Sequence, residues 1–259
     1  MTTEIERALN TQDLEARVKA MYEQVALEPD HDFHFETGRA LAERLGYAAS
    51  DLDAVPAQAI DSFAGVGYFL DLANISSGET VLDLGSGSGT DSFLAALAVG
   101  DRGRVVGVDM TDAQLAKAQR LASERGLTHV EFRKGYIETP PIDAHSVDCV
   151  ISNGVINLSP EKQKVFDAAA AALRSGGRLA IADIVTAVPL PDGVTCDASL
   201  WAACIGGAAQ QDDYLDMIRT SGFDIEVMRP NDYKFVSERA LGATSTYKVS
   251  SISVLARRR

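Results

Sequence analysis

Cysteine and long apolar runs are both scarce in this chain of 259 residues. Its three cysteines, Cys149, Cys196 and Cys204, are too few for a disulfide framework and favour a reducing, cytoplasmic compartment. No stretch approaches the roughly 18 consecutive apolar residues of a membrane helix. The N-terminal sequence MTTEIERALN is polar and acidic, unlike a signal peptide. The sequence therefore predicts a protein that has no membrane partner.

Basic residues are scarce as well, because 24 Lys and Arg stand against 37 Asp and Glu, a formal net charge of −13. The only basic cluster is Arg257-Arg258-Arg259, which we interpret as a solvated tail. Nucleic-acid binding depends on clustered positive charge, so the composition argues against a nucleic-acid partner. With 46% hydrophobic residues, the chain has an ordinary globular composition and is long enough for one large α/β domain.

Glycine, by contrast, is concentrated in one informative stretch, TVLDLGSGSGTDSF at residues 80–93. Its apolar start, interrupted only by Asp83, predicts a buried strand of a parallel sheet, and a helical pattern follows it. Gly85, Gly87 and Gly89 permit a sharp turn and a close approach of a ligand to the backbone. The N-terminus of the helix attracts carboxylates and phosphates. The stretch therefore predicts a nucleotide-binding site.

The spacing of these glycines, G-x-G-x-G, distinguishes between nucleotides. A dinucleotide fingerprint would be G-x-G-x-x-G, whereas the position after Gly89 is Thr90. The spacing found here, with an acid inside the strand, resembles that of S-adenosyl-L-methionine (SAM) methyltransferases. Asp109 ends the next apolar strand, where a carboxylate is placed to accept both ribose hydroxyls of an adenosine. NAD sites share this acid, so an NAD-dependent dehydrogenase stays open as an alternative that the loop spacing disfavours.

Strand and helix patterns alternate through the rest of the chain. Five strand–helix units and a terminal pair of strands predict a doubly wound α/β sheet of seven mostly parallel strands, with ligands at the strands' carboxyl ends. Thr111 is expected to cap a helix, with Gln114 in the capping-box position. Residues 1–72, beginning with a helix over residues 3 to about 28, are predicted to form a helical lid. Residues 73–259 are predicted to form one globular cofactor-binding unit.

Several stretches of this framework resemble the arsenite S-adenosylmethyltransferases: VLDLGSGSGTDSFLAA, VVGVDMT, GYIE, VISNGVINLSPEKQKVF, SGGRLAIADI and LWAACIGGA. The likeness runs from about Phe63 to Phe223 and more loosely over the N-terminal lid. Its most specific piece is SN-x-V-x-NLSP-x-K, after the fourth predicted strand. The resemblance implies a class I SAM-dependent methyltransferase with a Rossmann-like sheet.

The resemblance also implies how SAM is held. The glycine loop wraps the methionyl part, Asp109 holds the ribose, and Met110 lies against the adenine. Asn153 contacts the amino-acid end, although from the residues alone it is also compatible with a simple turn at a strand end. The implied cofactor-binding residues are Asp83, Gly85, Ser86, Gly87, Gly89, Asp109, Met110, Ile137, Glu138 and Asn153.

The chain departs from the family at the residues that bind arsenic. Members of the family hold the trivalent metalloid through cysteine thiolates, soft ligands for a soft centre. One family cysteine corresponds to Val66 here and another to Gly154, and a further N-terminal one has no evident counterpart. The cysteine that remains is Cys204, which is either a ligand and candidate catalytic residue or a small residue packed in the segment that caps the site. Of the other two cysteines, Cys149 is interpreted as a small buried hydrophobic residue and Cys196 as an exposed side chain.

The lid supplies further polar candidates. The resemblance implies that Tyr22, His34, Glu36 and Arg39 lie where the family's lid approaches the methyl group, and Tyr22 and His34 are taken as candidate catalytic residues. His34 lies between two phenylalanines, which predicts either an aromatic pocket around one titratable group or an ordinary structural histidine. His31 precedes it by three residues, but no further ligand completes a set, so we reject a metal site.

These features predict an enzyme that transfers a methyl group from SAM to a small-molecule acceptor by in-line displacement. The resemblance favours a soft nucleophile, either a trivalent organoarsenical or a thiol. One alternative is an O-, N- or C-methyltransferase of a small natural-product or quinone-like acceptor, for which His34 would serve as the base. Another is a non-catalytic SAM-binding module. The sequence leaves the acceptor, the number of methyl transfers and the oligomeric state open.

Overall fold

A mixed sheet forms the centre of the computed structural model, which describes residues 9–195, 201, 205–235, 242 and 246–259. The strands of the described residues are β1 (Thr80–Leu84), β2 (Arg104–Asp109), β3 (Val130–Lys134), β4 (Val147–Asn153), β5 (Leu173–Thr186), β6 (Ala209–Gln210), β7 (Phe223–Pro230) and β8 (Val249–Arg258). The helices are α1 (Thr11–Leu27), α2 (Gly38–Leu45), α3 (Ala49–Ala54), α4 (Ala57–Asp61), α5 (Leu70–Ala73), α6 (Thr90–Val99), α7 (Asp112–Glu124), α8 (Lys162–Ala172), α9 (Asp192–Thr195) and α10 (Gln211–Thr220).

The strand order is β3-β2-β1-β4-β5-β8-β7, and the two-residue β6 pairs with β5. β1 to β5 pair in parallel, whereas β8 runs antiparallel to β5 and β7. The doubly wound, mostly parallel α/β fold is thus confirmed, and each of the seven predicted strands is present. The sequence did not predict β6, because two residues are too short to carry an alternating pattern. The order reverses on either side of β1, which places a ligand crevice at the carboxyl ends of β1, β2 and β4.

Helices cover both faces of the sheet. Successive side chains of a strand point to opposite faces, so Val81 of β1 joins one buried cluster while Leu82 and Leu84 join the other. The first cluster contains α6, α7 and the N-terminal helices, and the second contains α8 and α10. Asp83, one residue after Leu82, consequently faces the side of the N-terminal helices.

Helix α1 packs on α7 through buried apolar side chains that include Leu14 and Val18. It begins at Thr11, where the side chain of Asn10 accepts a hydrogen bond from the backbone N–H of Asp13 at 3.1 Å. The start predicted for this helix, residue 3, lies outside the described residues. Leu14 and Val18 belong to the same buried cluster as Val81 of the sheet. The division at residue 72 stays a prediction.

Within the described ranges, no helix has both the length and the apolar character needed to cross a membrane.

Candidate functional site

A cavity of about 820 Å³ lies between α1 and the carboxyl ends of β1, β2 and β4. Its volume falls in the range of roughly 300–1,000 Å³ typical of small-molecule sites. Most of the residues predicted from the sequence line it: Tyr22, Asp83, Gly85, Ser86, Gly87, Asp109, Met110, Ile137, Glu138 and Asn153. Most of the residues predicted to bind the nucleotide therefore lie together in the wall of one cavity.

Gly85 forms the point where the loop after β1 passes closest to its neighbours. Its φ is +74°, and a Cβ atom there would lie 2.6 Å from the side chain of Val155. The backbone N–H groups of Gly85 and Ser86 donate to the carbonyl oxygen of Val108, at 2.8 and 3.0 Å. Glycine is required at this position because any side chain would push the loop from the wall of the cavity.

Gly89 does not line the cavity, unlike the other residues predicted in the glycine loop. It precedes α6 with a φ of +97°, and a Cβ atom there would lie 2.8 Å from the rings of Phe93 and Phe132. Gly89 therefore allows the turn into α6 to pack against these two rings, and the structure gives it no contact with the cavity.

Ser86 carries a buried hydroxyl with no hydrogen-bond partner among the described residues. An unsatisfied buried polar group costs about 1–3 kcal/mol, so its presence in the wall of a cavity favours a ligand that completes the bond. The glycine loop thus offers a hydroxyl as well as bare backbone.

Asp109 accepts hydrogen bonds from two backbone N–H groups, those of Gly87 at 2.9 Å and Thr111 at 2.8 Å. Burial raises the pKa of this carboxyl, and these hydrogen bonds oppose that rise. The carboxylate lines the cavity, where its oxygens are placed to accept hydrogen bonds from the hydroxyls of a ribose. The side chain is held where the sequence placed it, at the tip of β2 and against the glycine loop.

Three acids, Asp83, Asp91 and Asp109, form part of the cavity wall. Burial raises the pKa of Asp83 to about 8, assisted by the negative charge of Asp91, and raises the pKa of Asp91 to about 6. None of the three forms an ion pair with a basic side chain of the described residues. A cavity wall of this composition favours a ligand that carries positive charge.

Asn153 is held in a network of side chains rather than free to turn into the cavity. Its Oδ1 accepts from the backbone N–H of Val66 at 2.8 Å, and its Nδ2 lies 3.0 Å from both Tyr47 Oη and Asp91 Oδ2. The Tyr47 hydroxyl donates to Asp91 Oδ1 at 2.6 Å. The sequence did not single out Tyr47 or Asp91, because an acid in the first turn of a helix is common and nothing local marks the tyrosine.

Gln114 does not form the predicted capping box, since Thr111 makes no side-chain cap with α7. Its amide bridges two parts of the site instead: Oε1 accepts from the Ser88 hydroxyl and Nε2 donates to the carbonyl oxygen of Tyr22 at 2.9 Å. The prediction is wrong because the side chain finds better partners in the glycine loop and α1 than at its own helix end.

Val66 and Gly154 lie side by side. A Cβ atom on Gly154 would be 3.1 Å from Cγ1 of Val66, which is buried, and Gly154 lines the cavity. The two positions at which the family resemblance implies cysteines are therefore adjacent in the fold, and in this chain an apolar side chain and a glycine occupy them.

The lid residues divide between the cavity and the outside. Tyr22 lines the cavity, and its ring stacks on that of Phe35 with centroids 6.0 Å apart. His34 is half-buried and packs edge-on against Phe35 at 4.9 Å, but it is not among the residues of the cavity wall. Glu36 and Arg39 also lie outside the wall.

Glu36 and Arg39 form ion pairs elsewhere: Glu36 pairs with Arg44, and Arg39 pairs with both Glu43 and Asp53. Cys149 is fully buried in β4, and burial raises the pKa of its thiol to about 12, which agrees with a structural role. Cys196 and Cys204 lie outside the described residues.

Tyr136, on the loop after β3, connects this loop to α1 across the cavity. Its hydroxyl donates to Glu15 Oε1 at 2.7 Å and accepts from Lys19 Nζ at 3.2 Å. Near the C-terminal end of α1, Lys117 Nζ of α7 donates to the carbonyl oxygen of Ala26 at 3.0 Å. Helix α1 is thus held over the cavity at both ends.

Residues 75–222 match a family model described as a methyltransferase domain. The arsenite methyltransferase of Halobacterium salinarum is 44% identical over 205 residues, which cover 78% of this chain and 52% of that protein. The arsenite methyltransferase of Homo sapiens is 37% identical over 152 residues, covering 55% of this chain and 40% of the relative. The chain thus spans about half the length, or less, of these curated relatives.

Solved structures share the fold. An arsenic(III) S-adenosylmethionine methyltransferase from Chlamydomonas reinhardtii superposes with a TM-score of 0.62 and 29% identity, covering 85% of this chain and 73% of that one. A geranyl diphosphate C-methyltransferase from Streptomyces coelicolor gives a TM-score of 0.69 over 97% of this chain and 100% of that one. At 17% identity, the second likeness concerns the fold alone.

Proposed function

Because this chain belongs to the methyltransferase domain family, we propose that it transfers a methyl group from SAM to a small-molecule acceptor. The observation that carries the proposal is the composition of the cavity, in which Asp109 adjoins the glycine loop, and neither Asp91 nor Asp109 has a cationic partner among the described residues. SAM combines an adenosine ribose with a positively charged sulfur and an ammonium group. The residues present therefore fit this cofactor.

Each part of the wall has a role in holding it. Asp109 binds the ribose, the backbone and hydroxyl of the glycine loop face the methionyl part, and Met110 with Ile137 borders the adenine. Bound SAM supplies a methyl group that its positive sulfur makes electrophilic. The protein's own contribution is to align the acceptor with that methyl group and, through α1, to keep water from the site.

A soft nucleophile, a trivalent organoarsenical or a thiol, suits the site best. Among the described residues that line the cavity there is no histidine, and His34 lies outside. A thiolate or a trivalent arsenical needs little base catalysis, whereas a phenol or an amine of high pKa requires a base at the acceptor. An O-, N- or C-methyltransferase remains the enzymatic alternative, and a SAM-binding module without catalysis the non-enzymatic one.

Inorganic arsenite is expected to be a poor substrate. The adjacent Val66 and Gly154 provide no thiolate, so a metalloid that needs several sulfur ligands would be bound weakly. The measurement is transfer of radiolabelled methyl from SAM to arsenite, methylarsenite, simple thiols and phenols in parallel. We expect methylarsenite or a thiol to react at least about ten times faster than arsenite, a difference of about 1.4 kcal/mol in transition-state binding.

Efficient methylation of arsenite at micromolar concentration would refute this substrate assignment. Preferential transfer to the phenols would support the O-methyltransferase instead. A protein that binds SAM tightly and transfers label to none of the acceptors would support the non-catalytic module.

Cys204 is proposed as the remaining thiol ligand of a metalloid acceptor. Cys204→Ser is then expected to abolish turnover of methylarsenite and to leave SAM affinity unchanged, because oxygen is a poor ligand for a soft centre. Cys149→Ala, which removes a thiol buried away from the cavity, is the matched control and should retain turnover. Full activity of Cys204→Ser on the true acceptor would exclude the ligand role.

A further inference from the structure

Asp91 is a buried acid in the cavity wall, and none of the contacts proposed above for SAM involves it. It lies in the first turn of α6, immediately after the glycine loop, and only 7% of its surface is exposed. Both carboxylate oxygens accept neutral donors, Oδ1 from Tyr47 and Oδ2 from Asn153. The orientation of the carboxylate is therefore fixed from two directions, by the segment after α2 and by the tip of β4.

No cation is found among the described titratable groups that interact with Asp91. The titratable groups that face it are Tyr47, Tyr68 and Asp83, and none of them carries a positive charge. Burial raises the pKa of Asp83 to about 8, so Asp83 is largely protonated at neutral pH. The pKa of Asp91, about 6, leaves Asp91 ionised. A buried, oriented carboxylate of this kind needs a cation, and the open side from which one can approach is the cavity.

The position of Asp91 identifies the cationic group. Asp109, which binds the ribose, ends β2, whereas Asn153, the partner of Asp91, ends β4, two strands away. At about 4.8 Å per strand, these tips are separated by about 10 Å, enough to place adenosine at one end and the amino acid at the other. Of the two cationic groups of SAM, only the α-ammonium donates hydrogen bonds.

We propose that Asp91 is the ion-pair partner of the α-ammonium group of SAM, with Tyr47 and Asn153 as positioning residues. This assignment rests on SAM occupying the cavity, as proposed above. Tyr47 and Asn153 hold the carboxylate in place before the cofactor arrives, so that binding requires little rearrangement. Asp91 recognises the amino acid in the same way before and after methyl transfer, because the product S-adenosylhomocysteine keeps the ammonium group.

Two ligands distinguish the role of Asp91 as the partner of the ammonium group from the role of Asp109 as the partner of the ribose. S-adenosylhomocysteine has both adenosine and the amino acid, whereas 5′-methylthioadenosine has the adenosine and lacks the amino acid. In Asp91→Asn, which preserves shape, calorimetry should show S-adenosylhomocysteine binding weakened about 10- to 100-fold, the range for a lost charged hydrogen bond. Binding of 5′-methylthioadenosine should stay within about twofold, which also reports that the variant is folded.

The pH dependence gives an independent test in the unmodified protein. Ammonium binding favours ionised Asp91, so affinity for S-adenosylhomocysteine is complete above the pKa of Asp91 and falls as the pH drops below about 6. The hydrogen bond from Tyr47 lowers this pKa. Tyr47→Phe should therefore move the fall to higher pH, whereas Asp91→Asn should remove it.

Equal weakening of both ligands in Asp91→Asn, or none in either, would overturn the assignment of Asp91 and leave the proposed function standing. The same holds for a pH profile that is identical in Tyr47→Phe and the unmodified protein. An unmodified protein that binds neither S-adenosylhomocysteine nor 5′-methylthioadenosine would overturn the proposed function together with this assignment.

Discussion

Asp109→Asn is expected to weaken SAM binding by more than about 100-fold. The substitution removes the charged acceptor that we propose for two ribose hydroxyls, each bond being worth about 1.5–3 kcal/mol. It also turns an N–H₂ group toward the backbone N–H of Gly87 or Thr111, where Asp109 now accepts, and so disturbs the glycine loop. Calorimetric titration with SAM measures the effect, and 5′-methylthioadenosine should lose affinity in parallel because the adenosine contact is the one removed.

Asp112→Asn is the matched control for this experiment. Its side chain is 79% exposed and pairs with Lys134, outside the cavity wall. SAM affinity should be unchanged, since an exposed ion pair contributes about 0–1 kcal/mol to stability and nothing to the site. Unchanged SAM affinity in Asp109→Asn, or tight binding of NAD by the unmodified protein, would contradict the assignment of Asp109.

Gly85→Ala is expected to lower the free energy of unfolding by about 2–5 kcal/mol and to impair SAM binding. A non-glycine residue at a left-handed φ costs about 1–2 kcal/mol, and the new Cβ would lie 2.6 Å from Val155, an overpacking that costs about 1–3 kcal/mol more. Because Val155 lines the cavity, either the loop or the wall must move. Denaturant unfolding and SAM titration measure the two effects.

Gly78→Ala separates backbone strain from collision. Gly78 has a φ of +89°, and a Cβ atom there would meet nothing within 4 Å. Gly78→Ala should lower the free energy of unfolding by about 1–2 kcal/mol and leave SAM binding intact. Adding Val155→Ala to Gly85→Ala should restore part of the stability, as expected for coupled neighbours. Equal losses in Gly85→Ala and Gly78→Ala would show that the contact with Val155 is unimportant.

The sequence predicted best what is local. The glycine loop, Asp109 and the seven strands follow from spacing within a few residues, and the structure contains each of them. Periodicity identifies strands because burial on a parallel sheet leaves an apolar run. Periodicity does not identify the ends of a strand: β5 begins at Leu173, ahead of the apolar run that starts at Leu179.

The sequence did not predict contacts between residues that lie far apart along the chain. Tyr47 and Asp91 are 44 positions apart, and Asn153 is 62 positions from Asp91, so no pattern in the sequence links them. For His34 the sequence left an aromatic pocket and a structural role open, and the fold packs its ring on Phe35, outside the cavity wall. The resemblance identified Val66 and Gly154 as altered positions, and only the fold shows that they adjoin.

Helix α1 has a consequence for the time that a ligand spends in the cavity. The sheet side of the wall is buried and rigid, whereas α1 is held partly by the half-exposed triad of Glu15, Lys19 and Tyr136. Salt screens the exposed charges of this triad, whereas the packing of Leu14 and Val18 on α7 does not depend on charge. We expect the residence time of a ligand bound in the cavity to shorten as ionic strength rises, even where the contacts proposed for adenosine are unchanged.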